Sequence, residues 1–510
     1  MRRIGIDVGG TNTDAVLIDG SRVIASLKTP TTEDVTSGVT RALKLLIERA
    51  GEAALATRIV IIGTTHFVNA VVERKRLRRV GVLRLCLPAS ASVAPFIDWP
   101  EDLRDIVKGS VHLLPGGYEI DGREIAPLDE QATREAAVRL RDAGLTDVAI
   151  SCVFSPLISE QEQRAAQIVR SVMPEARITQ SKDLGRIGLL ERENVTILNA
   201  SLGELARKTT QAFRSAIAAS GLTAQLYLTQ NDGTVMSAEI AEQFPVLCFG
   251  SGPTNSMRGA AFLSGLTDAA VVDVGGTTSD IGMLKNGFPR EANTVVQVGG
   301  VRTLFRMPDV ISVPLGGGTR VRTDPRQLGP DSLGFGLLEH GRVFGGSELC
   351  TTDIAVATGL IDLGDATLVR DIGRDTIDWT LNEARRRLED GIDRIKTQAG
   401  DIPLIAVGGG SFLVPRQLQG ISEIIFVPHH DVANAIGAAI AQISGEVDQI
   451  FRDMSRADAI SSATELARIR AVQAGASPGS LEVVEMEEMP LSYMPGDCRR
   501  VRLRVAGDLA

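Results

Sequence analysis

Short apolar runs and amphipathic stretches alternate along most of the chain. Runs of four to eight apolar residues bounded by Gly, Asn or Asp predict strands at about 3–8, 14–18 and 22–28. The i, i+3, i+4 spacing of Leu43, Leu46 and Ile47 predicts a helix over 33–50. Strands at 58–63 and 79–85 follow around a short helix near 66–76. An irregular stretch (86–128) leads to helix 129–143, strand 147–153, helix 159–172 and strand 176–181. A long helix from about 190 to 219 opens a second half. It continues with strands at 225–229 and 245–249, a turn and a helix after 250, and a hairpin over 270–290. Beyond a Gly-rich interruption (295–346) come helix 378–399, strands 402–407 and 423–427, and helix 431–444. The last stretch of roughly 65 residues carries an amphipathic helix (455–474) and two short strands (481–486, 499–505). Such alternation of strand and helix argues an α/β protein.

One pattern occurs twice. Residues 7–14 read DVGGTNTD and residues 273–280 read DVGGTTSD, each between two apolar runs, so each is a strand, a Gly turn and a strand. The copies are too far apart for a solenoid. They imply two similar lobes, each opening with the same hairpin. The chain divides accordingly into 1–189, 190–444 and a small α+β appendage over 445–510.

The repeated turn carries chemistry. A Gly-Gly pair leaves backbone N–H groups open to a ligand, and Thr11, Thr13, Thr277, Thr278 and Ser279 add hydroxyls. Such a turn can hold a phosphate without a lysine. Asp7, Asp14, Asp273 and Asp280 would repel that phosphate unless a hard divalent ion, Mg²⁺ with several waters, came between them. Two such turns facing across a cleft could clamp the β- and γ-phosphates of ATP. A third element, GGGS at 408–411 after an apolar strand, permits close approach of a ligand to the backbone. The candidate phosphate and nucleotide contacts are Gly9, Gly10, Thr11, Thr13, Gly275, Gly276, Thr277, Thr278, Gly408, Gly409, Gly410 and Ser411. Asp7 and Asp273 are the candidate metal-positioning groups, and Asp14, Asp280 and His66 complete the candidate catalytic set. No Walker sequence and no GxGxxG after a strand occurs.

Composition narrows the classes. With 510 residues, 44% hydrophobic, 23% charged and a net charge of −9, the chain reads as an ordinary globular protein without a nucleic-acid footprint. No run of 18 apolar residues predicts a membrane span. Five scattered cysteines without a Cys-x-x-Cys pair fit a reducing, cytoplasmic setting.

These motifs resemble the actin-like ATPase superfamily: 4–17 its first phosphate motif, 271–284 its second, 404–411 its adenosine motif and 432–441 its second connecting helix. The implied fold is two ribonuclease-H-like lobes around a nucleotide cleft. GTTHFVNAVVERK (63–75), ERENVTILNASLG (191–203), SGPTNSMRGAAFLSGL (251–266), GPDSLGFG (329–336) and Thr351-Thr352-Asp353 are similar to stretches of the hydantoinase A/5-oxoprolinase family. That resemblance implies an ATP-dependent hydrolase of a cyclic amide such as a hydantoin, oxoproline or lactam, acting by phosphorylation of the amide oxygen and then water attack. It also implies an oligomer and a possible B-like partner subunit. A small-molecule kinase and a non-catalytic ATP-binding regulatory subunit are the rival readings. At the family's usual histidine position stands Ile311, so no role of that histidine carries over. Glu191, Arg192 and Asn194 look site-facing but could serve their helix end, and His429-His430-Asp431 looks like a ligand cluster ahead of a helix capped by Asp431.

Overall fold

The computed structural model describes residues 2–10, 12–31, 35–185, 187–292, 294–492 and 496–510. Both repeat copies form antiparallel hairpins in the same register: Arg2–Val8 pairs with Asn12–Asp19, setting Asp7 opposite Asp14, and Ala269–Val274 pairs with Ser279–Lys285, setting Asp273 opposite Asp280. Each hairpin's first strand is flanked by a parallel strand, Ile59–Thr64 in one lobe and Ile402–Val407 in the other. These strands are buried on both faces, which is why they read as continuous apolar runs.

The first lobe is built on a nine-stranded sheet that draws on distant parts of the chain. Its order is 482–490, 498–507, 442–452, 234–237, 225–229, 59–64, 2–8, 12–19 and 22–30. Strands Gln225–Thr229 and Thr234–Ser237 pair into the first sheet, and helix Leu189–Ala219 packs its Val195, Leu198 and Phe213 into the same core as Ile4, Ile6 and Leu43. The strand expected at 245–249 is a 3-10 turn, Pro245–Cys248, whose opening proline lacks the N–H that a ladder needs. The tail holds the expected helix and two strands and most of a third, Gln442–Arg452, which starts within the last residues of the expected helix 431–444 and joins the tail edge-on to the first sheet. That helix is shorter, Ala433–Ile440.

Helix Arg456–Ala474 is not amphipathic in the ordinary sense. Ala459, Ala463, Ala467 and Ala471 pack on the sheet, while Leu466, Ile469 and Val472 are exposed on the outside. Ser455 caps its start by accepting from the Asp458 N–H.

A separate four-stranded parallel sheet (108–115, 80–87, 147–152, 177–180) forms within the stretch expected to complete the first lobe. The region read as irregular supplies helix Glu101–Val107 and edge strand Lys108–Pro115, whose half-buried pattern lacks a clean alternation. The second lobe is a sheet of 288–289, 279–285, 269–274, 402–407 and 421–426, with Val310–Val313 also paired to 279–285.

Between the two main sheets lie helices Ser251–Ser264 and Ala433–Ile440, packed on each other. Gly259 faces the Ala433 carbonyl and Gly437 faces the Asn255 carbonyl, so close that a Cβ at either would overlap the opposing oxygen. Two glycines one per helix thus set the spacing of the lobes. Among the described residues no helix is long and apolar enough to cross a membrane.

Candidate functional site

The two hairpins meet the same helix. Helix Ser251–Ser264 joins them with consecutive residues: Asn255 Nδ2 donates to Asp7 Oδ1 at 3.3 Å, and the Ser256 hydroxyl donates to Asp273 Oδ2. From the other connecting helix Asn434 Nδ2 donates to Asp7 Oδ2 at 3.0 Å. Neither asparagine nor Ser256 stood out in the sequence. Their signal is a polar residue inside a small-residue helix, which by itself does not tell which carboxylate it meets.

Burial dominates the electrostatics. It pushes the Asp7 carboxyl up to about 6, with repulsion from Asp14 and Asp273 adding to the rise against the two amides. Burial also raises Asp14, Asp273 and, to about 6, Asp280, on which the Asp273 charge acts too. Asp7 thus feels Asp14 and Asp273, and Asp280 feels Asp273. Lys28, from strand Arg22–Pro30, lies 2.6 Å from both oxygens of Asp14. Ser312 donates to Asp280 Oδ1 at 2.5 Å.

Among the described residues no three His, Cys, Asp or Glu side chains converge as a closed metal cage. The donor set is nonetheless hard oxygen, its charge is compensated only in part, and the turns beside it expose Gly10, Thr277 and Thr278. Those properties fit an ion such as Mg²⁺ that keeps waters and takes one or two carboxylates.

The turns are built alike. Gly9 N–H donates to the Asn12 carbonyl at 3.0 Å and Gly275 N–H to the Thr278 carbonyl at 2.9 Å. Among the described residues, chain neighbours aside, nothing lies within 4 Å of a Cβ built on Gly10 or Gly409. The backbone of 316–319 braces the second turn from behind: Gly317 and Gly318 N–H groups donate to the Gly275 and Gly276 carbonyls at 2.9 and 2.7 Å. Thr351 and Thr352 hydroxyls in turn hold the Gly317 carbonyl at 2.7 Å, which gives the Thr-Thr-Asp motif a supporting role. Thr277 and Thr278 are exposed at the turn. The GGGS stretch abuts the same turn, with Gly410 N–H donating to the Val274 carbonyl and Gly408 placed against the Asp273 carboxylate. The Ser411 hydroxyl lies 3.1 Å from His430 Nδ1.

Several expectations change. Thr11 lies outside the described residues. Thr13 is fully buried, with its hydroxyl 3.2 Å from that of Thr31, because strand alternation turns it away from the face that Asp14 occupies. His66 starts helix His66–Val72, half-buried, and burial lowers its ring pKa. Among the described residues no hydrogen bond joins that ring to the four carboxylates, and only its backbone N–H, donating to the Thr64 hydroxyl, is engaged locally. Arg192 and Asn194 are buried away from the crevice: Arg192 reaches the Ser181 hydroxyl and the Ile187 carbonyl, and Asn194 the Trp99 indole and the Arg302 carbonyl. Glu191 pairs with Arg302 at 3.0 Å. Asp431 lies within a 3-10 turn, His430–Val432, instead of capping the helix. Ile311 packs against the second lobe's core.

One consequence is testable without any ligand. Because the folded pKa of Asp280 is raised, its ionisation opposes folding fully above about pH 6 and not at all below the ordinary carboxylate value. Asp280→Asn is expected to stabilise the nucleotide-free protein by ~2 kcal/mol at pH 8 and by less than about 1 kcal/mol at pH 4, as read by urea unfolding at the two pH values.

Comparison with known proteins adds to this geometry. Residues 3–173 match the model of the hydantoinase/oxoprolinase N-terminal region, and residues 192–368 that of hydantoinase/oxoprolinase. Caprolactamase subunit alpha of Pseudomonas jessenii is 27% identical over 501 residues, covering 87% of this chain and 70% of that protein. The acetophenone carboxylase gamma subunit of Aromatoleum aromaticum is 28% identical over 394 residues, 70% of this chain and 53% of its own length. The chain thus spans only about half of that carboxylase subunit. In fold, the whole chain superposes on the ATP-dependent caprolactamase from Pseudomonas jessenii with a TM-score of 0.79 at 21% identity, covering 88% of it. Nucleotide-free acetone carboxylase gives a TM-score of 0.69 at 17% identity, also over 88% of its chain.

Proposed function

From the premise that this chain belongs to the hydantoinase/oxoprolinase family, we propose that it is the ATP-using subunit of an enzyme that opens a cyclic amide by phosphorylating the amide oxygen. The observation that supports this reading is the pair of neighbours Asn255 and Ser256, which tie Asp7 and Asp273, and with them the bases of both Gly turns, to one helix turn. A triphosphate lying there meets backbone N–H groups from both sides. Asp7 and Asp273 would hold Mg²⁺, which when bound neutralises charge between the phosphate oxygens.

An unstrained amide is a poor electrophile, and phosphorylation turns its oxygen into a leaving group. Water then attacks the activated carbon. The chain's share of this work is positioning and charge compensation. Asn255, Asn434 and Ser256 fix the carboxylates, and the close-packed connecting helices exclude water behind them.

Relatives named as carboxylase subunits favour a second reading, in which the same phosphoryl transfer activates an oxygen for carboxylation. Both readings need a partner for the second half-reaction, and a B-like subunit and an oligomeric assembly belong to this proposal. The experiment is to incubate the chain with ATP and hydantoin, N-methylhydantoin, oxoproline or caprolactam, with and without a B-like subunit. Ring opening in step with ADP release is the expected result. A phosphorylated product that persists would favour a kinase. ATP binding without turnover on any of these, in either condition, would leave a regulatory subunit.

A further inference from the structure

The repeat extends beyond the two hairpins to a third strand in each lobe, and there the copies differ. In the first lobe, strand Arg22–Pro30 pairs with Asn12–Asp19 and sets Lys28 directly opposite Asp14. In the second, strand Val310–Val313 pairs with Ser279–Lys285 and sets Ser312 directly opposite Asp280. Equivalent carboxylates therefore meet an ammonium in one lobe and a hydroxyl in the other.

The Lys28 ammonium bonds both oxygens of Asp14 at 2.6 Å, which uses two of its three protons. The Asp14 side chain is 3% exposed and that of Lys28 is 32% exposed, so the pair has a buried foot and a wet head. The Lys28 charge also acts on Asp273 across the crevice. Asp7, Asp14, Asp273 and Asp280 bring up to four negative charges to this place, and a triphosphate brings more. An ammonium anchored on one of these carboxylates, and acting on another, is where an added phosphate oxygen gains most.

We propose that Lys28 contacts the terminal phosphoryl group of the bound nucleotide, with Asp14 positioning its ammonium, and that the repeated hairpins are thereby unequal, only the first offering that group a side-chain ammonium from its third strand. The inference rests on the nucleotide reading given above. In the transfer, the bond between the γ-phosphorus and the β–γ bridging oxygen breaks and its electron pair leaves with ADP. A lone pair of the acceptor oxygen forms the new bond to phosphorus. Lys28 keeps its proton throughout and offsets charge on the equatorial oxygens.

The competing role is purely local, namely neutralising the buried Asp14. Calorimetric titration with ADP and with the non-hydrolysable analogue AMP-PNP, both with Mg²⁺, separates the two roles for the wild type, Lys28→Met, Lys28→Arg and the double variant Lys28→Met/Asp14→Asn. The wild type is expected to bind AMP-PNP at least about tenfold more tightly than ADP, one good charge-assisted contact. Lys28→Met should bring that ratio below about two, and Lys28→Arg should keep most of it. The double variant removes both charges of the pair and so stays folded where the single one leaves Asp14 buried alone. It should show the same lost preference. Recovery of the preference in the double variant would overturn the proposal in favour of local neutralisation, as would an undiminished preference in Lys28→Met. Wild-type protein that binds both nucleotides but opens no ring would count against the amide reading and leave this contact standing, whereas binding neither would overturn both.

Discussion

Turnover of ATP is expected to fall by at least about a thousandfold when Asp7 and Asp273 are both replaced by asparagine, with the folded state intact. Each carboxylate sits at the base of a Gly turn, and each is held by a dedicated donor from the same helix. Asparagine preserves size and an accepting oxygen but cannot hold a cation or balance charge developing on the phosphates. Unfolding would not explain the loss, because ionising these buried groups opposes folding in the nucleotide-free protein and the substitutions remove that cost. Either single variant should lose nearly as much as the pair, since the two act as one unit. Steady-state ADP release, read beside urea unfolding curves, checks this. Full activity in the double variant would mean that the phosphates are held elsewhere.

The second large effect concerns spacing between the lobes. Gly437→Ala is expected to destabilise the protein by ~3 kcal/mol and to lower turnover as well. A methyl group there would overlap the Asn255 carbonyl oxygen on the facing helix, and backbone cannot move aside as a side chain can. Alanine's better helix propensity gives back about 1 kcal/mol, which is smaller than the overlap cost. The damage is also functional, because the residue displaced is the one whose amide holds Asp7. Thermal unfolding should show the loss of stability, and turnover measured well below the unfolding midpoint should show a separate loss of rate. A variant as stable as the wild type would show that the helices have room to part.

The two hairpins were legible in the sequence because their chemistry is local: a Gly-Gly turn between apolar runs states its own geometry within eight residues, and its recurrence states the two-lobed plan. What was not legible depends on pairing. Lys28 looks like any charged residue near a strand end until the register sets it opposite Asp14. Asn255, Ser256 and Asn434 sit on helices whose rotation about their axes only packing decides. Thr13 misleads for the opposite reason, since its composition suits a phosphate turn while strand parity turns it inward. The tail strands are legible, but alternation within a strand does not say which sheet it joins, and their edge-on addition to the first sheet depends on pairing. The Glu191–Asn194 cluster shows the same limit: charged residues at a helix start can face a ligand or a second module, and here Arg192 and Asn194 are spent on neighbouring protein segments.

The central claim is that both Gly turns hold one nucleotide. The most direct measurement is a crystal structure of the protein with AMP-PNP and Mn²⁺, the ion located by its anomalous signal. The expected result is a single β,γ-phosphate pair within hydrogen-bonding distance of both turns, with the ion between Asp7 and Asp273. A nucleotide bound to one turn alone, or an ion remote from both carboxylates, would contradict it.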